Sequence, residues 1–274
     1  MNKSGPNQDT LNKIIKRLIK AAPSGHHEKL EPLARLVRAF LEFDCDSNRL
    51  LAAEARIMSS VVDFNELRVT PAIELAAALG VRYPFAEARC AMLHRTLQSI
   101  FDREHQMSLD GLHGMKKADI RKYLQTLAGM NPYVEAVVAL ECFDVAAAPV
   151  DTKLQLWLIS KDCFPAEISL PEMQHILEKH IRAADMLKFH HGVRKEIDDW
   201  APRVWPKAAK IPSPMLAPPA VNASTTTPPA KPPVEAPAAN HAPAKAASAK
   251  SAGHTVKHSG KGKHHANKGK QIIT

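Results

Sequence analysis

Residues 127–154 read LAGMNPYVEAVVALECFDVAAAPVDTKL, and this stretch decides the fold. A helical segment is followed by a short break and then by a second helix that begins at Pro132. Gly129 and Asn131 are residue types that accept a positive φ at low cost. Proline suits the first position of a helix, because its missing N–H would be unpaired there. The break therefore predicts a tight hairpin between two helices.

The turn of this hairpin directs several backbone N–H groups outward at a helix N-terminus, where the helix dipole gathers partial positive charge. Gly129, Met130 and Asn131 are therefore candidate ligands of a phosphate group. An ordinary connection between two packed helices, with glycine as the C-terminal cap of the first, has the same sequence pattern. The turn alone does not distinguish these two interpretations.

The region on both sides of the hairpin has the periodicity of helices. Between Glu28 and Trp200, apolar residues recur at spacings of three and four, and no stretch alternates as a half-buried strand does. The sequence therefore predicts an all-α fold. Residues 11–21 form a basic amphipathic segment, which is a surface helix docked by its apolar face or an arm for DNA or a membrane.

Residues 207–274 have a different composition. They contain ten lysines, ten of the 21 prolines, one acidic residue and no aromatic residue, and they carry the whole net charge of +9. With little apolar surface to offset the entropy of ordering, they are predicted to form a disordered basic tail. Such a tail binds phosphates without sequence preference or acts as a solubilising linker. The predicted organisation is an N-terminal extension (1–27), a helical domain (28–206) and this tail.

Cysteine usage and hydropathy restrict the class of protein. Four widely spaced cysteines without a CxxC pair argue against an iron–sulfur cluster and favour a reduced, cytoplasmic protein. No apolar run approaches the roughly 20 residues of a membrane helix, and residues 1–9 lack the apolar core of a signal peptide. The histidines near His190 have no acidic or cysteine partner at metal spacing, so neither a metal nor another cofactor is expected.

The hairpin and a later carboxylate together resemble a known module. The positions concerned are the hairpin glycine, the apolar second helix and a spaced Val-Asp-Thr: Leu127, Gly129, Met130, Val137, Val138, Val150, Asp151 and Thr152. This pattern resembles the helix-hairpin-helix and Gly-Pro-Asp module of the endonuclease III superfamily of DNA glycosylases. The resemblance covers residues 117–160 strongly and about 30–200 as a succession of helices. It implies a two-lobed helical fold and a monomer that binds double-stranded DNA at the nucleoid.

The resemblance assigns the chemistry to Asp151, which would stabilise positive charge at the sugar of an extruded nucleotide and activate a water. Asp151 is equally suited to cap the helix that begins at Thr152. Tyr133 stands where bifunctional members carry a Schiff-base lysine, and a phenol cannot form that imine, so lyase activity is not expected. Tyr133 would line the base pocket or pack on the hairpin. Asn131 replaces the second hairpin glycine, and the cysteine ligands of cluster-bearing members are absent.

Basic residues surround the module and are candidate contacts for DNA phosphates, although such charges are often only solvated: Lys117, Arg121, Lys122 and Lys153. The leading hypothesis is a monofunctional, cluster-free glycosylase of base-excision repair. One alternative is a DNA-binding protein that keeps the hairpin, has lost the chemistry and carries a tail like that of histone H1. Another is a helical interaction protein whose tail binds an acidic partner. The retained Asp151 favours the first hypothesis, and Tyr133 favours the second.

Overall fold

The computed structural model of the protein describes residues 5–24, 29–80 and 82–200. Within these ranges the chain forms helices and no strand, as the periodicity predicts. The helices are α1 (Gln8–Ala21), α2 (Pro32–Glu42), α3 (Ser47–Ser60), α4 (Phe64–Val69), α5 (Ala72–Leu79), α6 (Ala86–Glu104), a short 3-10 helix (Asp110–Gly114), α7 (Lys117–Gln125), α8 (Pro132–Phe143), α9 (Thr152–Ser160), α10 (Leu170–His180) and α11 (Ala183–Ile197). The predicted tail, 207–274, lies outside the described residues.

Several helices begin where short polar side chains predict. Asp46, Asp63 and Ser169 cap α3, α4 and α10, and each accepts the backbone N–H of the residue three positions later. Because Asp63 caps α4, its polar side chain between α3 and α4 has a structural role. Helix α5 begins without a side-chain cap, because the hydroxyl of Thr70 donates to the carbonyl oxygen of Glu66 at the end of α4.

The packing separates the described helices into two lobes. In the first lobe, α2 packs against α3, α6 and α8, while α5 packs against α3 and α6, and α7 against α8. In the second lobe, α11 packs against α1 and α9, and α9 packs against α10. Contacts between α8 and α11 join the lobes. The predicted two-lobed, all-α architecture is confirmed.

Helix α1 docks on α11 through its apolar face, which confirms the surface-helix interpretation of the basic segment. Leu11 and Leu18 are fully buried, while Lys13 and Lys16 remain exposed. The two helices approach so closely that a Cβ on Gly192 would lie 1.9 Å from the carbonyl oxygen of Leu18. Only glycine fits at this crossing.

Most apolar residues of both lobes are buried together in one core, and the four cysteines are buried and free. Among the helices that the structure describes, none combines the length and the apolar character needed to cross a membrane.

Candidate nucleic-acid interface

The predicted hairpin is present between α7 and α8. Gly129 has a φ of +82°, and a Cβ on it would lie 2.6 Å from the carbonyl oxygen of Met92. Asn131 was expected to accept a positive φ, but its φ is −97°. Its side-chain oxygen caps α8 by accepting the N–H of Tyr133 at 2.8 Å. Pro132 occupies the first turn of α8. The turn therefore requires glycine for both its backbone conformation and its close approach to α6.

The turn is held on α6 by side chains that bond to its backbone. The hydroxyl of Thr96 donates to the carbonyl oxygen of Ala128 at 3.1 Å, and the hydroxyl of Ser99 accepts the N–H of Ala128 at 3.2 Å. The guanidinium of Arg103 donates to the hydroxyl and the carbonyl oxygen of Thr126. These contacts fix the backbone of the turn, and a fixed backbone binds phosphate at a lower entropic cost than a mobile loop.

The predicted basic contacts differ in whether their side chains are bonded within the protein. Lys122 is exposed and has no ionic partner among the described residues. The ammonium of Lys117, on an exposed residue, donates to the carbonyl oxygen of Asp144 at 2.6 Å.

Two of the predicted basic contacts are held elsewhere in the protein. Arg121 lies between two carboxylates, 3.0 Å from Glu135 and 2.8 Å from Glu178. Lys153 is buried, and its ammonium donates to the carbonyl oxygen of Asp198 at 2.6 Å. A buried lysine cannot reach a phosphate outside the protein, so Lys153 does not belong to the candidate interface. Lys122 is the sequence-predicted cation best placed to contact DNA.

Two cations beside the turn were not predicted from the sequence. Arg95 is exposed, and its Cβ lies 2.9 Å from the position that a Cβ on Gly129 would take. Arg103, also exposed, bonds to the turn residue Thr126. Both belong to α6, more than twenty residues before the hairpin in sequence. Nothing local to the hairpin indicates which helix lies beneath it, so the sequence carried no signal for these residues.

Asp151 lies at the N-terminus of α9 as its cap. Its Oδ1 accepts the N–H of Leu154 at 2.8 Å, and its Oδ2 accepts the N–H of Asp44 at 3.1 Å. Only 2% of the residue is exposed. Each carboxylate oxygen therefore has a backbone partner, and a nucleotide cannot reach the group in this conformation.

Tyr133 points into the interior from the first turn of α8. Its hydroxyl donates to Glu42 at 2.7 Å, and its ring lies near those of Phe43 and His190. Burial, followed by the negative charge of Glu42, raises the pKa of the phenol well above its usual value. Tyr133 therefore packs within the core as a neutral donor, and it is 2% exposed.

A buried ion-pair network fills the space beside Tyr133, where α2, α8 and α11 meet. The guanidinium of Arg35 binds Glu42 at 2.9 Å and Glu141 at 2.5 Å, and Arg194 lies 3.3 Å from Glu42. Burial alone would raise the pKa of Glu42, but Arg35 and Arg194 outweigh it and hold that pKa at about 2. His190 adds a contact to Glu141 at 3.3 Å. The ionised carboxylates stay buried because cations compensate them.

A second carboxylate faces Asp151. Asp44 has a left-handed backbone with a φ of 51°, and its Oδ1 accepts the N–H of Lys153 at 3.0 Å. Burial raises the pKa of Asp44, and the nearby charge of Asp151 raises it further, to about 7. Within the described residues, no group of three or more His, Cys, Asp or Glu side chains is arranged to hold a metal ion.

Taken with the two lobes, this geometry defines an all-helical helix-hairpin-helix protein, and its fold is that of the endonuclease III-like DNA glycosylases. A trapped covalent intermediate of endonuclease III with DNA is similar at a TM-score of 0.55, with 16% identity over 75% of this chain and 93% of that chain. The thermostable thymine-DNA glycosylase is similar at a TM-score of 0.51, with 15% identity over 74% of this chain and 93% of that one.

A third similar structure is the 8-oxoguanine glycosylase/lyase of Clostridium acetobutylicum, in complex with double-stranded DNA that contains cytosine opposite 8-oxoguanine. Its TM-score is 0.53, with 12% identity over 69% of this chain and 67% of that chain. No protein-family model and no curated protein matches the sequence. At these identities the likeness establishes the fold.

Proposed function

We propose that this protein binds duplex DNA through the hairpin face and does not excise bases. The observation that carries the second half of this proposal is the burial of Asp151, both of whose carboxylate oxygens already accept backbone N–H groups. A glycosylase needs its carboxylate beside the sugar of an extruded nucleotide. The neighbouring space is occupied by Tyr133 and the ion pairs of Arg35.

The DNA-binding half of the proposal is supported by the hairpin turn. Gly129 gives the turn its compact geometry, and Arg95, Arg103 and Lys122 place exposed cations on and beside it. The N–H groups of Ala128, Met130 and Tyr133 are already bonded within the protein, so the exposed cations carry the proposed contact. Such cations bind phosphates without reading bases. Two structures with the same fold contain DNA, endonuclease III and the 8-oxoguanine glycosylase/lyase. We therefore infer that the face formed by the hairpin and α6 contacts the backbone of duplex DNA.

The basic tail would add binding that is independent of sequence. Its ten lysines can neutralise phosphates, and its covalent link raises the local concentration of DNA near the hairpin face. Replacing these lysines by glutamine in the full chain should weaken duplex binding and flatten its salt dependence. An unchanged salt dependence would assign the tail a solubilising role.

The decisive experiment combines duplex binding with base release on a panel of lesion-containing and mismatched duplexes. The wild-type protein and Asp151→Asn are compared, with undamaged duplex as the reference substrate. Binding without release by the wild-type protein supports the proposal. Release that disappears in Asp151→Asn contradicts it.

That second outcome would support a monofunctional glycosylase of base-excision repair, and one observation favours this candidate. Asp44 and Asp151 form a carboxylate pair, and the pKa of Asp44 is raised to about 7. A carboxyl group whose pKa is raised to about 7 can donate a proton near neutral pH, which is the property that general acid catalysis requires. Activity would require the lobes to move so that the pair becomes accessible. Strand cleavage through an imine would not be expected, because Tyr133 stands where that reaction requires a lysine amine.

A further inference from the structure

A cationic cavity lies on the first lobe, where α3 meets the segment between α5 and α6. It measures about 350 Å³, and three arginines line it: Arg49, Arg56 and Arg82. Its other walls include Leu79 and Tyr83. All three arginines belong to exposed residues, and among the described residues lining the cavity there is no carboxylate. Arg49 lies 3.4 Å from the carboxylate of Asp46, whereas Arg56 and Arg82 form no salt bridge with the described residues. Two such guanidinium groups around one concave space attract an anion.

Arg56 is held in place for such a contact. Its Nη1 donates to the carbonyl oxygen of Leu79 at 2.7 Å and lies 3.3 Å from the position that a Cβ on Gly80 would take. Gly80, with a φ of +87°, therefore leaves room for the guanidinium. The remaining N–H donors have no hydrogen bond to the described residues, so they are available to a ligand. The planar fork of arginine suits the oxygens of a phosphate group.

A second cavity of about 630 Å³ adjoins the first and shares Gly80 and Tyr83 with it. Its wall is mainly apolar and includes Ile73 and Phe85, which are 72% and 36% exposed. Glu87 is the one acidic residue among the described residues that line it. Ile73 and Phe85 give the groove an apolar wall that is open to solvent and that suits a planar apolar group.

The backbone at Phe85 strengthens this interpretation. Phe85 has a φ of 55° and a ψ of 32°, a left-handed conformation that is costly for a bulky residue and inexpensive for glycine or asparagine. Such strain is commonly retained at functional sites, where the side chain makes a contact that offsets the cost. An aromatic ring at this position can stack on a planar group.

We propose that the two cavities together form a nucleotide site, in which the arginines bind the phosphate and the Phe85 groove receives the base. The nucleotide is either free in solution or the terminal nucleotide of a DNA strand, because both present the same phosphate and base. This site is separate from the hairpin, which packs on the middle of α6, whereas the groove lies at the start of α6. The inference therefore does not depend on duplex binding at the hairpin.

The test is calorimetric titration of the full chain with deoxyadenosine 5′-monophosphate, inorganic phosphate, deoxyadenosine and a single-stranded oligonucleotide with a 5′-phosphate. The nucleotide should bind saturably and more tightly than phosphate, and deoxyadenosine should bind most weakly. In the double variant Arg56→Gln, Arg82→Gln, nucleotide affinity should fall by at least about ten-fold, since two charge-assisted contacts are lost. Arg56→Lys, Arg82→Lys should keep part of the affinity, because the charge remains without the fork.

The control is Lys16→Gln, Lys20→Gln on α1, which removes the same charge from exposed positions elsewhere. This control should leave nucleotide affinity unchanged. Equal losses in the control and in the arginine variant would assign the binding to net charge and overturn the proposal. The absence of saturable nucleotide binding at millimolar concentration would overturn it as well.

Phe85→Gly distinguishes a ligand contact from a structural role. Glycine relieves the left-handed strain, so thermal stability should not fall, while nucleotide affinity should decrease and phosphate affinity should stay the same. Loss of stability without loss of nucleotide affinity would refute the role of Phe85 as a base contact. Tighter binding of the phosphorylated oligonucleotide than of the mononucleotide identifies a strand end as the source, and equal binding identifies the free nucleotide. Duplex binding measured in parallel should persist in the arginine variant, which separates this site from the hairpin.

Discussion

The hairpin turn and the carboxylate Asp151 belong to one continuous stretch of sequence, yet they differ in their surroundings: at the turn, exposed Ala128 and Pro132 flank the buried Gly129 and Asn131. The turn is fixed on α6, with exposed Arg95 and Lys122 close to it. Asp151 is 2% exposed, its oxygens are bonded to backbone N–H groups, and the neighbouring Tyr133 is engaged with Glu42. Binding a phosphate requires only a surface, whereas catalysis requires that substrate reach the reacting group.

In this structure the hairpin turn keeps the positive φ of Gly129, while the carboxylate of Asp151 bonds to the backbone of Asp44 and Leu154. The N-terminus of the second hairpin helix lies at the turn, and its body carries Glu141 into the buried ion-pair network. Substitutions in the network should therefore affect stability, and substitutions at the turn should affect DNA affinity.

The largest effect is expected at the centre of the network. Arg35→Met should lower the free energy of unfolding by about 3–5 kcal/mol, because Glu42 and Glu141 lose a common buried cation. Denaturant unfolding followed by circular dichroism measures this loss. Arg38→Met is the matched control: Arg38 lies on the same helix in a more exposed pair with Glu54, and its loss should cost about 1 kcal/mol or less. Equal losses in the two variants would contradict the role of the network.

The turn is tested by Gly129→Val. A β-branched residue at a φ of +82°, with its Cβ close to the carbonyl oxygen of Met92, should cost about 2–3 kcal/mol in stability. Duplex affinity, measured by fluorescence anisotropy where the protein is folded, should fall by about ten-fold, equivalent to 1.4 kcal/mol. Gly114→Val is the control, because a Cβ there meets no atom within 4 Å. If both variants bind duplex equally well, the hairpin is not the interface.

The carboxylate pair predicts a pH dependence of stability. The pKa of Asp44 is raised in the folded state to about 7 from an ordinary value near 4, so folding favours its protonated form. The stability from this group is present below about pH 4 and is lost as the pH rises to about 7, by at most about 1.4 kcal/mol per pH unit. Asp44→Asn should remove this loss, because asparagine stays neutral and accepts a left-handed φ.

Urea unfolding of the wild-type protein and Asp44→Asn across pH 4–7 measures this difference. The comparison isolates Asp44 from Glu42, whose lowered pKa produces the opposite trend at lower pH. Parallel stability curves for the two proteins would show that Asp44 is ionised throughout this range and would refute its raised pKa.

The smallest effect is expected for the cations beside the turn. Arg95→Gln should reduce the slope of the logarithm of duplex affinity against the logarithm of salt concentration by about 0.9, the contribution of one phosphate contact. Stability should change little, because Arg95 is exposed. Lys16→Gln on α1 removes the same charge away from the turn and should leave the slope unchanged. A lower slope in the Lys16 variant alone would place the interface on α1.

Much of the fold followed from the sequence because its determinants are local. Asp46 and Asp151 accept N–H groups three residues ahead, and Gly129 provides the positive φ of the turn. Each of these features depends on a few neighbouring residues, so it can be inferred without a partner helix. The hairpin and the likeness to endonuclease III were therefore predictable from residues 127–154.

Tertiary structure alone determines which of the predicted groups reach solvent. Asp151 meets the N–H of Asp44, Tyr133 meets Glu42, and Lys153 meets Asp198, each across a large separation in sequence. Arg95 lies beside the turn for the same reason, because α6 supports the turn. Local sequence determines helix ends and turns, because their hydrogen bonds close within a few residues. Burial depends on packing between distant helices, and that packing encloses the carboxylate of Asp151.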